Sequence, residues 1–312
     1  MVQFRGVFTI PVTPFDTEGD LDEASLQRCV EFCIQAGAHG IVCPVNASEF
    51  SSLTDQERLR VAEITTATAD HRIPVVIGVS GTTGHHASIF SRHAREIGAD
   101  AVIAMPPYVK KAATNEIGEY FRVVAAAAQL PVFIQNYPAP IGTPLTAGFM
   151  ANLVQTIDGV EYVKEETTPP GHVITEILSS GSPRLQGVMS GMAGRFMLDD
   201  FRRGACGTMP ACEVTDVHVA VWNALEAGDA KGARDIFNRL LPLLNMEWLY
   251  GATVYKEVLQ RRGVIATATL RGPGMSSLDD FDHQELDQIL ADVSTFFTTA
   301  PLTRPAQEKV LT

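Results

Sequence analysis

The sequence predicts a (β/α)8 barrel with a C-terminal helical extension. Three observations lead to it. An amphipathic helix, a Gly-Ala-containing stop and a short apolar strand recur as one unit, in EFCIQAGAHG-IVCPV, SRHAREIGAD-AVIAMPP and LDDFRRGACG-TMPA. Eight strand candidates fall within about 225 residues of a 312-residue chain, close to the span of one α/β barrel. Several candidates are continuous apolar runs, which suits parallel strands buried on both faces.

The first strand candidate is GVFTIPV, residues 6–12. The helical stretch after it stops at the Gly-Ala of QAGAHG, because the residue past a helix end often needs a positive φ. A short connection of ordinary length then leads into the second strand, at 40–45. The remaining candidates lie at 74–79, 101–105, 131–136, 160–164, 185–189 and 207–210, with helical patterns between most neighbours. A doubly wound sheet is the alternative, but no GxGxxG follows the first strand. After residue 213 the pattern is helical only, at 214–227, 230–245, 248–262 and 283–298. The first of these completes the barrel, so the expected division is a catalytic barrel over 1–228 and a helical region over 229–312. Gly263, Gly272, Pro273 and Gly274 mark 263–282 as a loop, and the tail from Pro301 reads as poorly ordered.

Composition removes several function classes. Hydrophobic residues make up 46% and charged residues 19%, the balance of a globular chain. Net charge is −12, which argues against nucleic acid as a partner, since that needs a basic face. No apolar run reaches the roughly 18 residues of a membrane span. The start, MVQFRGVFTIPVTPF, lacks a basic segment followed by an apolar one, so no secretory signal is read. The five cysteines are odd in number and show no zinc-ligand spacing. Cys29 and Cys33 read as core residues, and a reducing cytoplasm is the expected location.

Chemistry in such a barrel sits at the C-terminal ends of the strands. Lys164 ends the sixth strand in VEYVKEET. A desolvated lysine loses proton affinity, and its neutral amine can attack a carbonyl carbon. Taken alone it reads equally as an ion-pair partner of Glu161, Glu165 or Glu166. Strand neighbours face opposite ways, so Glu165 is a poor partner while the strand lasts. Tyr137 ends the fifth strand and is a candidate proton shuttle, or a ring wedged against Pro138. Tyr108, after two prolines, offers the same pair of readings. The turn Val45-Asn46-Ala47-Ser48-Glu49 offers backbone N–H groups to a carboxylate, or simply precedes the helix from Thr54. Gly81-Thr82-Thr83-Gly84 lacks the ending of a phosphate loop, and the adjacent His85 and His86 read as surface residues.

Together these positions resemble the dihydrodipicolinate synthase / N-acetylneuraminate lyase family of Schiff-base (β/α)8 enzymes. The resemblance spans nearly the whole chain. It rests on VTPF at 12–15, Tyr137-Pro138-Ala139-Pro140, Lys164-Glu165, Ser190-Gly191 and GACGTM at 204–209. It implies that Lys164 forms an imine with a pyruvate-type 2-keto acid and that Tyr137 shuttles protons. Tyr108 would reach into a neighbouring subunit's site. Asn46, Ala47 and Ser48 would stand in the carboxylate-binding loop, Ser190 would end strand seven, and the Met209 carbonyl would lie near the site. A homo-oligomer, dimer or tetramer, is implied, and no metal or cofactor.

Two departures bear on the substrate. Asn46 and Ala47 replace the family's two threonines, and Gly142 stands where the synthase places an arginine on a substrate carboxylate. The expected function is therefore a 2-keto-3-deoxy sugar-acid dehydratase or aldolase. ASEF and NMEWLYGATVYKEVLQRRGVI also resemble 2-keto-3-deoxyarabonate-type dehydratases of the family. The alternatives are a dihydrodipicolinate synthase-like condensation, a cyclic imino acid deaminase, or a non-catalytic keto-acid binder.

Overall fold

Eight short parallel strands close into one barrel in sequence order. They are β1 (Gly6–Thr9), β2 (Gly40–Cys43), β3 (Val75–Gly78), β4 (Ala101–Ala104), β5 (Val132–Asn136), β6 (Val160–Glu165), β7 (Gly187–Ser190) and β8 (Gly207–Thr208). Helices follow them as α1 (Glu23–Gln35), α2 (Asp55–Ala69), α3 (Gly84–Glu96), α4 (Thr114–Ala128), α5 (Ala147–Thr156), α6 (Pro170–Ser179), α7 (Met197–Arg202) and α8 (Thr215–Glu226). Beyond them lie α9 (Ala230–Tyr250), α10 (Ala252–Arg261) and α11 (Asp280–Val293). This computed structural model describes residues 3–139 and 141–302. Pro140 of the Tyr-Pro-Ala-Pro element and the tail beyond residue 302 lie outside the described residues.

The barrel expected from the sequence is the barrel found. Its first and last strands are shorter than their apolar runs. Pro11 and Pro210 have no N–H for the ladder, so beyond Thr9 and Thr208 only isolated pairing continues, Ile10 with Ala211. In the C-terminal region the expected break near 245–248 falls instead at Gly251. That residue has φ 52° and ends α9 at Tyr250, so Glu247 and Trp248 sit on the last turn of α9. The last helix starts at Asp280, earlier than read, because the Asp279 carboxylate accepts from the N–H groups of Phe281 and Asp282.

The two-residue strand period sorts the side chains into two cores. Outward residues such as Val132, Ile134, Val163 and Val188 pack beneath the helices together with Cys29 and Cys33. The Cys29 sulfur lies 3.4 Å from that of Cys212. Inward residues such as Phe8, Ile103, Phe133, Tyr162 and Met189 fill the barrel. The rings of Phe133 and Tyr162 stack at 4.4 Å, and Phe4 meets both edge-on, at 5.4 and 5.3 Å. These aromatics close the N-terminal end and leave the C-terminal end for the site. Helices α8, α9 and α11 share one apolar cluster with β1, containing Val7, Trp222, Leu240 and Leu286. Among the described residues no helix is long and apolar enough to cross a membrane.

Candidate active site

Register sets one inward layer at the C-terminal end of the barrel. Gln135 on β5 pairs with Lys164 on β6, Lys164 with Met189 on β7, and Met189 with Gly207 on β8. Lys164 therefore points into the barrel and is only 2% exposed. Its Nζ lies 3.2 Å from Oε1 of Glu166. The other Glu166 oxygen accepts from Gln135 Nε2 at 2.7 Å. The N–H of Glu166 donates to the Asn136 carbonyl at 3.0 Å, which extends the ladder and keeps the carboxylate on the same side as Lys164. Gly191 opposite is required: a Cβ there would overlap the Glu166 side chain.

Glu165 faces the other way. Its carboxylate accepts from Asn136 Nδ2 at 2.7 Å and from the N–H and hydroxyl of Thr167. Burial pushes its carboxyl up, and those hydrogen bonds oppose the shift. Of the three glutamates open as partners of Lys164, the structure selects Glu166. The signal was present in the sequence as the two-residue spacing of Lys164 and Glu166.

A cavity of about 560 Å³ opens above this layer, within the usual range for a small-molecule site. Lys164, Glu166, Tyr137 and Asn46 line it from the barrel, and Glu247 and Trp248 line it from α9. Burial, and after it the charge of Glu166, pushes the Tyr137 phenol up to about 12. Tyr137 is therefore a neutral O–H donor at physiological pH. Tyr108 does not line this cavity. Its ring meets Phe50 edge-on at 5.7 Å.

The turn after β2 is a 3-10 turn, Asn46–Ser48, closed by Glu49 at φ 52°. Asn46 and Ala47 line the cavity, and the opening N–H groups of such a turn have no partner within it. Met209 lines it as well, with its N–H on the Ser190 carbonyl at 2.9 Å. Two expected residues turn elsewhere. Ser48 is buried, its hydroxyl donates to the Pro11 carbonyl at 2.7 Å, and its N–H donates to Val45. It fastens the turn and does not line the cavity. Ser190 pairs in register with outward-facing Glu165, and its hydroxyl contacts Thr208 at 3.4 Å and bonds Asp200. Strand parity places it in the helix-facing shell. Thr83 of the 81–84 turn caps α3 by accepting from the His86 N–H. His86 Nε2 lies 3.1 Å from Asp55.

A model of the dihydrodipicolinate synthetase family matches residues 3–293. The chain belongs to that family. It is 31% identical over 273 residues to the L-2-keto-3-deoxyarabonate dehydratase of Azospirillum brasilense, covering 86% of this chain and 88% of the relative. It is 29% identical to the 4-hydroxy-tetrahydrodipicolinate synthase of Methanothrix thermoacetophila, covering 93% of this chain and 97% of the relative. Among solved structures, a prophage protein of this family from Escherichia coli K12, in complex with pyruvate, superposes with a TM-score of 0.86. That pair is 25% identical over 94% of this chain and 99% of the other.

Gly142, read above as a departure from the synthase, sits on a backbone closed to side chains. Its N–H donates to the Pro138 carbonyl at 2.9 Å, and a Cβ at this position would overlap the Tyr137 carbonyl oxygen. This backbone leaves no room for a side chain at 142, arginine included. The C-terminal segment supplies a different device. Glu49 accepts from the N–H groups of Arg271 and Gly272, both at 3.1 Å, and pairs with Lys256 Nζ at 2.5 Å. Lys256, wholly buried on α10, also donates to the Thr269 carbonyl at 2.7 Å. The segment carrying Gly272 and Pro273 is thereby fixed as one wall of the cavity.

Breaking a buried pair strands one charge, so Lys256→Met is expected to cost about 3–5 kcal/mol in denaturant melts. It should also raise KM, because the cavity wall loses its anchor. Unchanged stability and unchanged KM would contradict this account of the segment.

Proposed function

We propose that this protein is a Schiff-base-forming lyase that dehydrates a 2-keto-3-deoxy sugar acid. The observation that carries the reading is the buried Lys164–Glu166 pair beside neutral Tyr137; the backbone at Gly142, with no room for the arginine that the resemblance expects of a synthase, favours a sugar acid over that condensation. The dehydratase name of the Azospirillum relative supports it.

Glu166 accepts a proton from the Lys164 ammonium, and the freed amine attacks the C2 carbonyl carbon. Tyr137 relays protons between Glu166 and the carbinolamine oxygen, so the proton that Glu166 took leaves with the water, its carboxylate is restored, and the protonated imine forms. The imine draws electrons from C3, so a C3 proton becomes acidic. Glu166, on the lysine side of the cavity, takes that proton, and the enamine expels the C4 hydroxyl. The same carboxyl returns the proton to the departing oxygen, so one water is lost overall. Hydrolysis of the imine restores Lys164. Turn N–H groups at Asn46 and Ala47 hold the substrate's C1 carboxylate in this reading.

Wild-type enzyme given 2-keto-3-deoxyarabonate should release a product lighter by one water and no pyruvate. Release of pyruvate and an aldehyde would assign C3–C4 cleavage instead. Strong turnover of pyruvate with aspartate semialdehyde would overturn the argument from Gly142 and favour the synthase. We further propose a cytoplasmic homo-oligomer, dimer or tetramer, in which Tyr108 serves a neighbour's cavity. Sedimentation showing only monomer would refute the assembly.

A further inference from the structure

Opposite Lys164 the cavity meets a second pair of carboxyl groups, which the lysine chemistry does not use. Glu247 on α9 is 4% exposed and lines the cavity; Glu213, between β8 and α8, is fully buried behind it. Apart from each other's carboxyl and the backbone N–H of Glu213 itself, the Glu213 oxygens and Oε1 of Glu247 meet no hydrogen-bond partner among the described residues. A buried polar atom left without a partner is costly, and native chains seldom keep one without use.

The surroundings define what fits. Trp248, the next residue on α9, offers a ring to the same cavity, with the Arg195 guanidinium 5.1 Å from its centroid. That guanidinium is already committed to α9, through Asn245 at 2.9 Å and the Leu244 carbonyl. It acts on Glu247 through charge, and its buried Nε has no hydrogen-bond partner among the described residues. Tyr255 faces Glu247 from α10, while Cys212 and Arg262 face Glu213. Burial holds Glu247 well above the usual carboxylate range and brings Glu213 to about 7. Two like carboxyls in one dry site share a proton, which lies in the hydrogen bond between them, so Glu247 offers the cavity an acceptor oxygen. A substrate hydroxyl can donate to it. A second carboxylate would meet charge of its own sign.

We propose that Glu247, held by Glu213 as a positioning residue, forms a subsite for the hydroxylated tail of the substrate beyond C4. The inference rests on the sugar-acid reading above and deepens it, because it states what selects a sugar acid over a bare keto acid. The apolar face of Trp248 receives the C–H side of the same tail.

The test uses a ligand that cannot form an imine. A 3-deoxypentonate whose C2 carbonyl has been reduced to an alcohol is compared, by calorimetry, with its 5-deoxy analogue. Wild type should bind the 5-hydroxyl ligand about tenfold more tightly, the size expected for one well-made hydrogen bond. Glu247→Leu should erase that preference and leave the 5-deoxy ligand's affinity unchanged. Glu247→Gln keeps the shape and a hydrogen bond to Glu213, and it should narrow the preference. If the leucine variant does not fold, the glutamine variant decides. Equal binding of both ligands by wild type, or an undiminished preference in the folded variants, overturns the subsite. Borohydride trapping of pyruvate on wild type is run in parallel. Absence of an adduct there sinks the imine reading, while the calorimetric comparison still decides the subsite.

Discussion

Changing Lys164 to alanine is expected to lower turnover by on the order of 10⁴-fold or more, the scale seen when an enzyme loses its nucleophile. The readout is twofold. Borohydride reduction in the presence of pyruvate should add a stable mass to wild type at Lys164 and none to the variant. Lys164 is 2% exposed and its partner Glu166 is also buried, so the variant also strands a carboxylate. That should cost about 3–5 kcal/mol of stability. The loss of activity must therefore be measured where circular dichroism shows the variant folded. A double variant, Lys164→Met with Glu166→Gln, removes both charges and should recover most of the stability without any activity. A Lys164→Ala enzyme that is folded and still turns over would end the imine mechanism.

Glu166→Gln is the second large effect. The amide keeps the contact to Gln135 but cannot hold a proton for transfer. Removing a general acid–base group typically costs about 10²–10⁴-fold, and the loss should fall on kcat for the hydroxylated substrate. Pyruvate trapping should survive at a reduced rate, since the lysine itself remains. A purely structural counterion would give a different pattern: lower stability with kcat nearly intact in the folded fraction.

Much of the scaffold was readable from sequence because its signals are local. Gly-Ala stops end helices where a positive φ is needed, and apolar runs such as VVIG and AVIA mark strands buried on both faces. The lysine was readable because a charged residue at the end of an apolar strand demands an explanation. Ser48 and Ser190 do not line the cavity, each for a reason that contiguous sequence does not carry. Motif position says which residue ends a strand, but barrel closure and register say which way its side chain points. Ser190 shares the parity of Glu165, not of Lys164, and faces the shell. Ser48 is turned by its bond to Pro11. Glu166 was within reach, since its spacing from Lys164 is one strand period.

Glu247 had no such signal. In sequence, it falls in the expected break between the helical stretches 230–245 and 248–262, where a glutamate reads as exposed. By itself the sequence determined the fold class, the imine-forming candidate and the family, because periodicity, turn chemistry and strand-end motifs are written in contiguous residues. Only the tertiary structure decided that Glu166 partners Lys164, that Gly142 has no room for a side chain, and that α9 brings a carboxyl backed by Glu213 to the cavity wall. Those facts depend on which surfaces meet when the barrel closes and the last helices pack on it. Burial, and with it the protonation and reach of each carboxyl, follows from that packing.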